Sequence, residues 1–285
     1  MERNRRYEVR EWEMKPTSSV CPYCGVGCNV ELYAKGRRVV KVKGRANPRV
    51  NGGWLCVKGR YGLEFIGSDS RLKKPLIRAG AKGAGKFREA TWEEALDYVA
   101  ENLGRLKKAY GPQSLAVVGS ARCTNEDNYV LQKFARVVLG TNNIDHVAPL
   151  WYSAATRGLE ASLGTGAMTN SLADMDDADC ILLLGSGISK TCPVIGQKIS
   201  HAVRYRGARL ILIDQVASEL AELAAIWLRP KPGTEVALIN GLMNVIVTRG
   251  LSKSEFIARR TEGFKETENK LGRYTPEYVA GITGV

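Results

Sequence analysis

Cys21, Cys24, Cys28 and Cys56 fall at the spacing C-x2-C-x3-C-x27-C. Three thiolates on one short turn, with a fourth arriving from a distance, suit the corners of a cubane iron–sulfur cluster. Pro22 and Gly25 shape the turn. A zinc ion is the competing ligand, because a four-cysteine tetrahedron also stabilises small units; zinc sites usually pair two short knuckles, whereas Cys56 stands alone. The favoured reading is a [4Fe–4S] cluster. Lys58 follows two residues after Cys56. Its three donors could stabilise an electron-rich cluster or bridge it to a second cofactor. An exposed loop lysine is an equally good reading of that position from spacing alone.

The elements that must position these residues begin with a small cysteine-anchored unit from Val20 to about Tyr61. Val30, Leu32, Val40 and Val42 alternate with polar residues around Lys35-Gly36-Arg37, a hairpin pattern. So short a unit has little core, and a cluster would supply cohesion. From Thr91 the pattern becomes helical, with Thr91 and Glu94 as a capping box and Trp92, Leu96, Val99 and Leu103 on one face. Leu115 to Val118 reads as a strand, and a helix runs from about Asp127 to Leu139, closed by Gly140. The C-terminal half alternates strand and helix as a parallel sheet requires. Its strands are Ile181 to Leu184 and Leu210 to Ile213. Its helices run from about Val194 to Arg206 and from Glu235 to Arg249, and Ser252 with Glu255 caps another.

Composition sets the bounds. The 285 residues suffice for two or three compact units, and 44% apolar with 25% charged residues is ordinary for a soluble globular protein. No run approaches the roughly 20 apolar residues that span a bilayer. The paired arginines near the start have no apolar segment behind them, so a secretory signal is not expected and a cytoplasmic location is. The net charge of +13 is spread along the chain, and no nucleic-acid-binding signature accompanies it. Seven cysteines, four of them clustered, argue against a disulfide framework. Cys180 heads an apolar run and is expected to be buried as a small hydrophobe. His146 and His201 are far apart, and each reads as structural rather than metal-ligating.

CPYCGVGC with WLCVKGRYG resembles the N-terminal cluster domain of the molybdenum- and tungsten-bis-pterin oxidoreductases, specifically the formate dehydrogenases. NYVLQKFARVVLGTNNID, GTGAMTNS, PGTEVALIN, FIARRTEGF and YTPEYVAGITGV are similar to successive stretches of that group. The resemblance implies a [4Fe–4S] domain followed by part of a doubly wound parallel-sheet domain of the formate dehydrogenase/DMSO reductase type. The implied boundaries are a leader over 1–17, a cluster domain over 18–75, a first α/β segment over 76–145, and a dinucleotide-type α/β region over 146–285, incomplete relative to the family. It further implies molybdopterin guanine dinucleotide carrying Mo or W. Lys58 matches the lysine between cluster and pterin, and Arg122 a pterin-contacting arginine. Gly185 and Ser186, then Asp214, then Lys231, Gly233 and Thr234 match dinucleotide contacts at strand ends, where open α/β sheets bind ligands.

Two departures bear on activity. Trp151 and Tyr152 occupy the positions of the family's metal-ligating selenocysteine or cysteine and its histidine. An indole N–H is a donor with no lone pair for a metal, so Trp151 cannot replace a thiolate. The sequence also stops at Val285, before the family's later arginine and C-terminal pterin-binding domain, and Asp214-Gln215-Val216 replaces an Asp-Pro-Arg. The favoured reading is an electron-transfer subunit or fragment that works with other redox subunits and does not oxidise formate as a single chain. One rival is half of a split Mo/W enzyme completed by a partner chain. A truncated or recoded fragment is another, disfavoured because both Trp151 and Tyr152 would have had to change. A further rival is a non-redox protein stapled by a cluster or zinc. Cys123 and Cys192 are the conceivable replacement thiolates.

Overall fold

The computed structural model describes residues 9–150, 152–185 and 187–285, so Trp151 and Ser186 lie outside the described residues. In chain order the strands are β1 (Lys15–Val20), β2 (Asn29–Lys35), β3 (Arg38–Gly44), β4 (Leu76–Arg78), β5 (Phe87–Glu89), β6 (Val117–Val118), β7 (Ile144–Asp145), β8 (Cys180–Leu184), β9 (Arg209–Ile213) and β10 (Ile226–Leu228). The α-helices are α1 (Val57–Tyr61), α2 (Trp92–Tyr110), α3 (Asn125–Lys133), α4 (Ser153–Leu163), α5 (Ile188–Thr191), α6 (Pro193–Arg206), α7 (Glu235–Thr248), α8 (Ser254–Arg260), α9 (Phe264–Leu271) and α10 (Pro276–Thr283). Two compact units interleave along the sequence. One takes the chain up to Tyr23 with Glu31–Lys43 and Val57–Asn170; the other takes Cys24–Val30, Gly44–Cys56 and Ser171–Val285.

The hairpin expected around Lys35-Gly36-Arg37 is β2–β3, turning at Gly36, whose φ of +58° is in the left-handed region glycine tolerates. β1 joins it to make a three-stranded sheet in the order β1-β2-β3. In the first unit, Thr91 caps α2 by accepting the Glu94 amide at 3.2 Å. The apolar stripe of this helix is uncovered: Trp92, Leu96 and Val99 are all exposed. Thr124 and Asp127 form a reciprocal capping box at the start of α3. The helix continues as a π-helical turn over Phe134–Leu139 and stops at Gly140, whose backbone is left-handed. The parallel pair β6–β7 flanks this element in sequence.

The second unit carries a parallel sheet in the order β10-β9-β8, with Ile211 opposite Leu182 on one side and Ile226 on the other. The central strand β9 is buried on both faces. Leu210 packs with Ile199 of α6 and Leu220, while Ile213 packs with Leu238 of α7 and Val279 of α10. Period-2 alternation thus sends odd and even residues of β9 to two separate cores, each closed by helices. Leu210, Leu212 and Ile213 are at most 1% exposed, and burying each such side chain contributes about 1.5–3 kcal/mol. Gly241 lets α7 approach α10, because a Cβ there would lie 2.9 Å from Val279. Cys180 departs from its expected burial. β8 is an edge strand, and its Cys180, Leu182 and Leu184 all face outward. The helix expected from Ser252 begins at Ser254 instead.

Candidate functional site

The cysteine turn is held from several directions. In the first unit, Arg122 Nη1 donates to the Pro22 carbonyl at 3.0 Å and also to the Tyr23 carbonyl. The Tyr23 hydroxyl in turn donates to the Gly62 carbonyl, and a Cβ at Gly62 would meet the Tyr23 ring. Arg122 is itself fixed on the β6–α3 loop, where its amide donates to Ser120 Oγ at 3.1 Å and the Cys123 amide donates to the Ser120 carbonyl at 3.2 Å. Cys21 is buried.

Cys24, Cys28 and Cys56 belong to the second unit, where Cys28 is buried and Cys24 and Cys56 are half-buried. The hub there is Asn51, 1% exposed. Its Oδ1 accepts the Asn29 amide at 3.0 Å, and its Nδ2 donates to the carbonyls of Asn29 (3.2 Å) and Trp54 (2.9 Å). One side chain therefore ties the residue after Cys28 to the residue two before Cys56. Asn47 Nδ2 adds a bond to Asn29 Oδ1 at 2.9 Å. Gly44 and Gly53 lie in backbone contact: a Cβ at Gly44 would sit 2.0 Å from the Gly53 oxygen. Trp54 sets its ring edge-on to His201 of α6 at 6.3 Å, and His201 in turn lies 5.2 Å from the Tyr205 ring. Lys198 pairs with Asp176 at 3.0 Å beside them, with His201 Nδ1 3.8 Å from the same carboxylate. Among the described residues, no group of three or more His, Cys, Asp or Glu side chains is arranged to hold a metal ion. Four thiolates are a donor set that suits an iron–sulfur centre; the structure describes Cys21 in the first unit and the other three in the second.

Lys58 lies in α1, half-buried, two residues after Cys56. Cys123 is an exposed free thiol, and Cys192 caps the junction of α5 and α6, its carbonyl accepting the Ile195 amide at 2.9 Å. Tyr152 caps the start of α4, accepting the Thr156 amide at 2.9 Å through its carbonyl. His146 Nδ1 accepts the Ala148 amide at 3.3 Å, which gives that histidine a local structural role.

Five of the residues that the resemblance matches to dinucleotide contacts sit at the carboxyl edge of one parallel sheet. Gly185 follows β8, Asp214 follows β9, and Lys231, Gly233 and Thr234 follow β10. Gly185 has a φ of +83° and Gly233 of +82°, with open space where a Cβ would stand, so a ligand could come close to either backbone. The Gly185 amide, however, donates to the Ile213 carbonyl at 2.9 Å, so its approach to a phosphate is through space and not through that N–H. Asp214 Oδ1 accepts the Val216 amide at 2.8 Å, and Gln215 Nε2 donates to Glu235 at 2.6 Å. Thr234 Oγ1 donates to the Lys231 carbonyl at 2.6 Å, closing the turn into α7. The edge is polar, with open space beside Gly185 and Gly233.

Asn51 and the Gly44–Gly53 contact escaped the sequence reading. Their signal was the run of asparagines and glycines, Asn47, Asn51, Gly52 and Gly53, just ahead of the fourth cysteine.

This combination of a cysteine-rich N-terminal segment and a parallel sheet with an open carboxyl edge defines a cofactor-binding oxidoreductase architecture. Residues 71–270 match the molybdopterin oxidoreductase family and residues 14–68 match the molybdopterin oxidoreductase Fe4S4 domain, so the chain belongs to the molybdopterin oxidoreductases. It is 47% identical over 273 residues to the F420-dependent formate dehydrogenase subunit alpha of Methanocaldococcus jannaschii, covering 96% of this chain and 39% of that one. Against formate dehydrogenase H of Escherichia coli the identity is 40% over 277 residues, covering 95% and 38%. Among solved structures, acetylene hydratase from Pelobacter acetylenicus superposes with a TM-score of 0.80 at 28% identity, over 94% of this chain and 36% of that one. The chain spans less than two fifths of the length of these relatives. The fold is thus an Fe4S4 domain followed by a mixed α/β molybdopterin domain of the DMSO reductase type, and the cofactors of that class are a [4Fe–4S] cluster and molybdopterin. Among the described residues no helix is long and apolar enough to cross a membrane.

Proposed function

We propose that Cys21, Cys24, Cys28 and Cys56 ligate the [4Fe–4S] cluster, and that the chain passes single electrons through it within a formate-dehydrogenase-like assembly. The observation that carries this reading is the four-thiol spacing lying wholly inside the segment that matches the Fe4S4 domain. When bound, the cluster supplies one-electron exchange and a Mo- or W-bearing pterin dinucleotide supplies substrate redox chemistry. The chain's own residues do the rest. Asn51 and the Gly44–Gly53 contact hold the cysteine segments in the second unit, and Lys58, two residues after the fourth ligand and matched by resemblance to the family's relay lysine, would offer its ammonium to the cofactors.

Asp214, Lys231, Gly233 and Thr234, with Gly185, receive one dinucleotide at the sheet edge; Ser186, which the resemblance also matches to that contact, lies outside the described residues. Trp151 supplies no ligand, so the metal is held without a side chain from that position, and further redox subunits or a chain completing the pterin site act as partners. The proposed location is the cytoplasm. The test is anaerobic reconstitution with iron and sulfide, followed by iron analysis, electron paramagnetic resonance and a formate-dependent dye assay. Four irons per chain, a signal on reduction and no formate oxidation by the chain alone are expected. Zinc in place of iron would overturn the electron-transfer reading, and formate-driven dye reduction would overturn the claim about Trp151.

A further inference from the structure

Within the second unit, α7, α9 and the turn from α9 into α10 border a cleft of about 560 Å³, inside the range of roughly 300–1,000 Å³ that small-molecule sites occupy. Asn240 and Met243 line it from α7, Lys270 and Leu271 from α9, and Arg273 and Tyr274 from the turn. Its wall is anchored. Leu271 is buried, and its carbonyl accepts the Asn244 side-chain amide at 3.0 Å and the Tyr274 backbone amide at 2.9 Å. The Tyr274 side chain packs on the core cluster of Ile213, Leu238 and Val279. The charge of the lining is one-sided: Lys270 and Arg273 are both there, and among the described residues no carboxylate is. Glu268, the acid two residues before Lys270, pairs with Lys265 instead at 2.7 Å. Arg273 is already oriented, because its Nη2 donates to the Tyr274 hydroxyl at 2.7 Å and its guanidinium lies 4.8 Å from that ring's centre. The N–H groups left over form a planar fork of the kind that grips two oxygens of a phosphate. Hydrogen bonds from Arg273 and then Asn240 hold the Tyr274 phenol below its ordinary value of 10.0, and with its oxygen accepting both, its own O–H is left to donate. Met243 and Leu271 add a hydrocarbon wall that a bare ion would leave unused.

We propose that this cleft binds a small organic phosphate, with Arg273 and Lys270 on the phosphate oxygens, the Tyr274 hydroxyl donating to one of them, and the organic part against Met243 and Leu271. The cleft is separate from the carboxyl edge of the sheet: Asn240 follows Thr234 by six residues of α7, about 9 Å of helix rise. The proposal therefore depends neither on iron ligation nor on a dinucleotide at that edge.

The experiment is isothermal titration calorimetry of the full chain at low ionic strength with phenyl phosphate and, separately, with inorganic phosphate. Phenyl phosphate is expected to bind at one site with a dissociation constant on the order of 1 mM, and inorganic phosphate at least about tenfold more weakly. R273M and K270Q are each expected to weaken the ester by about tenfold or more, the order expected when a hydrogen bond between charged groups is lost. Y274F keeps the ring in its core and is expected to cost about fivefold. K265Q removes the same charge from the same helix outside the cleft and is expected to stay within about twofold of wild type. Circular dichroism checks the fold of each variant; should R273M lose its fold, K270Q on the exposed side of α9 carries the test. The proposal is overturned if phenyl phosphate gives no saturable heat with the folded wild-type chain. It is also overturned if K265Q loses as much affinity as K270Q, which would mean diffuse attraction to a basic surface, or if inorganic phosphate binds as tightly as the ester, which would mean that the apolar wall holds nothing.

Discussion

Asn51 offers the sharpest test of how the cysteine segments are held, because one buried carboxamide makes three backbone bonds. Replacing it with leucine keeps similar volume and removes all three. The Asn29 amide then loses its partner in a half-buried setting, which costs about 1–3 kcal/mol. The Asn29 carbonyl keeps the Arg45 amide, which donates to it at 2.9 Å, so its loss is smaller. The Trp54 carbonyl loses a bond whose net contribution is about 0.5–1.5 kcal/mol. N51L should therefore lower unfolding stability by ~2–4 kcal/mol. N51D retains an acceptor for the Asn29 amide but sets a carboxylate against two carbonyl oxygens, and it should be no better. The assay is urea unfolding followed by fluorescence and circular dichroism, with iron retention under mild chelation read in parallel. Because Asn51 ties Asn29, next to Cys28, to Trp54, near Cys56, iron should be lost faster from both variants. An N51L protein within about 0.5 kcal/mol of wild type, the range of ordinary surface changes, with unchanged iron retention, would refute the reasoning.

Gly44→Ala places a methyl carbon 2.0 Å from the Gly53 oxygen, a contact that only backbone displacement relieves, so this variant should show reduced stability and reduced iron uptake in the same two assays. A Gly36→Ala control at the hairpin turn, where a Cβ meets open space, should lose only the modest stability of a strained φ and retain iron. Two exposed carboxylates of the N-terminal segment contribute to the acid side of the stability profile. Glu11 is held below its ordinary value of 4.5 chiefly by the hydrogen bond from Lys43 and then by the charges of Lys43 and Lys41, and Glu13 chiefly by the hydrogen bond from Lys35. A carboxyl lowered in the folded state contributes in full above its unfolded value and loses that contribution as pH falls through the lowered folded value. Thermal midpoints should drop below about pH 4.5, and E11Q with E13Q should flatten that drop while raised salt masks the difference.

What the sequence made legible was local or periodic. Thr91, Gly140 and the β2–β3 turn announce themselves within four or five residues, and the apolar runs of β8 and β9 with the intervening α6 carry the parallel sheet. The family resemblance placed Asp214 and Lys231 at strand ends, and the sheet puts them there. What was not legible depends on partners far away in the chain. Cys180 reads as a core residue from its neighbours, but whether a strand is central or at an edge is decided by sheet order. Trp92, Leu96 and Val99 form a regular helical stripe, and periodicity cannot say what covers a stripe. Asn51 looks like any loop asparagine until the two cysteine segments are brought together around it. The interleaving of the two units, which divides the cysteine turn after Tyr23, has no sequence signature at all.

The edge strand β8 has a practical consequence for anyone handling the chain alone. Among the described residues its outer backbone rim has no strand partner, it presents outward-facing Leu182 and Leu184, 51% and 55% exposed, and it begins with an exposed thiol. Rims of this kind are sites where a second chain can add a strand, and an exposed thiol at the start of this one is open to air oxidation. Reductant protects that thiol, and a charged substitution at Leu182 would guard the rim while leaving the inward-facing Ile181 and Leu183 in their core.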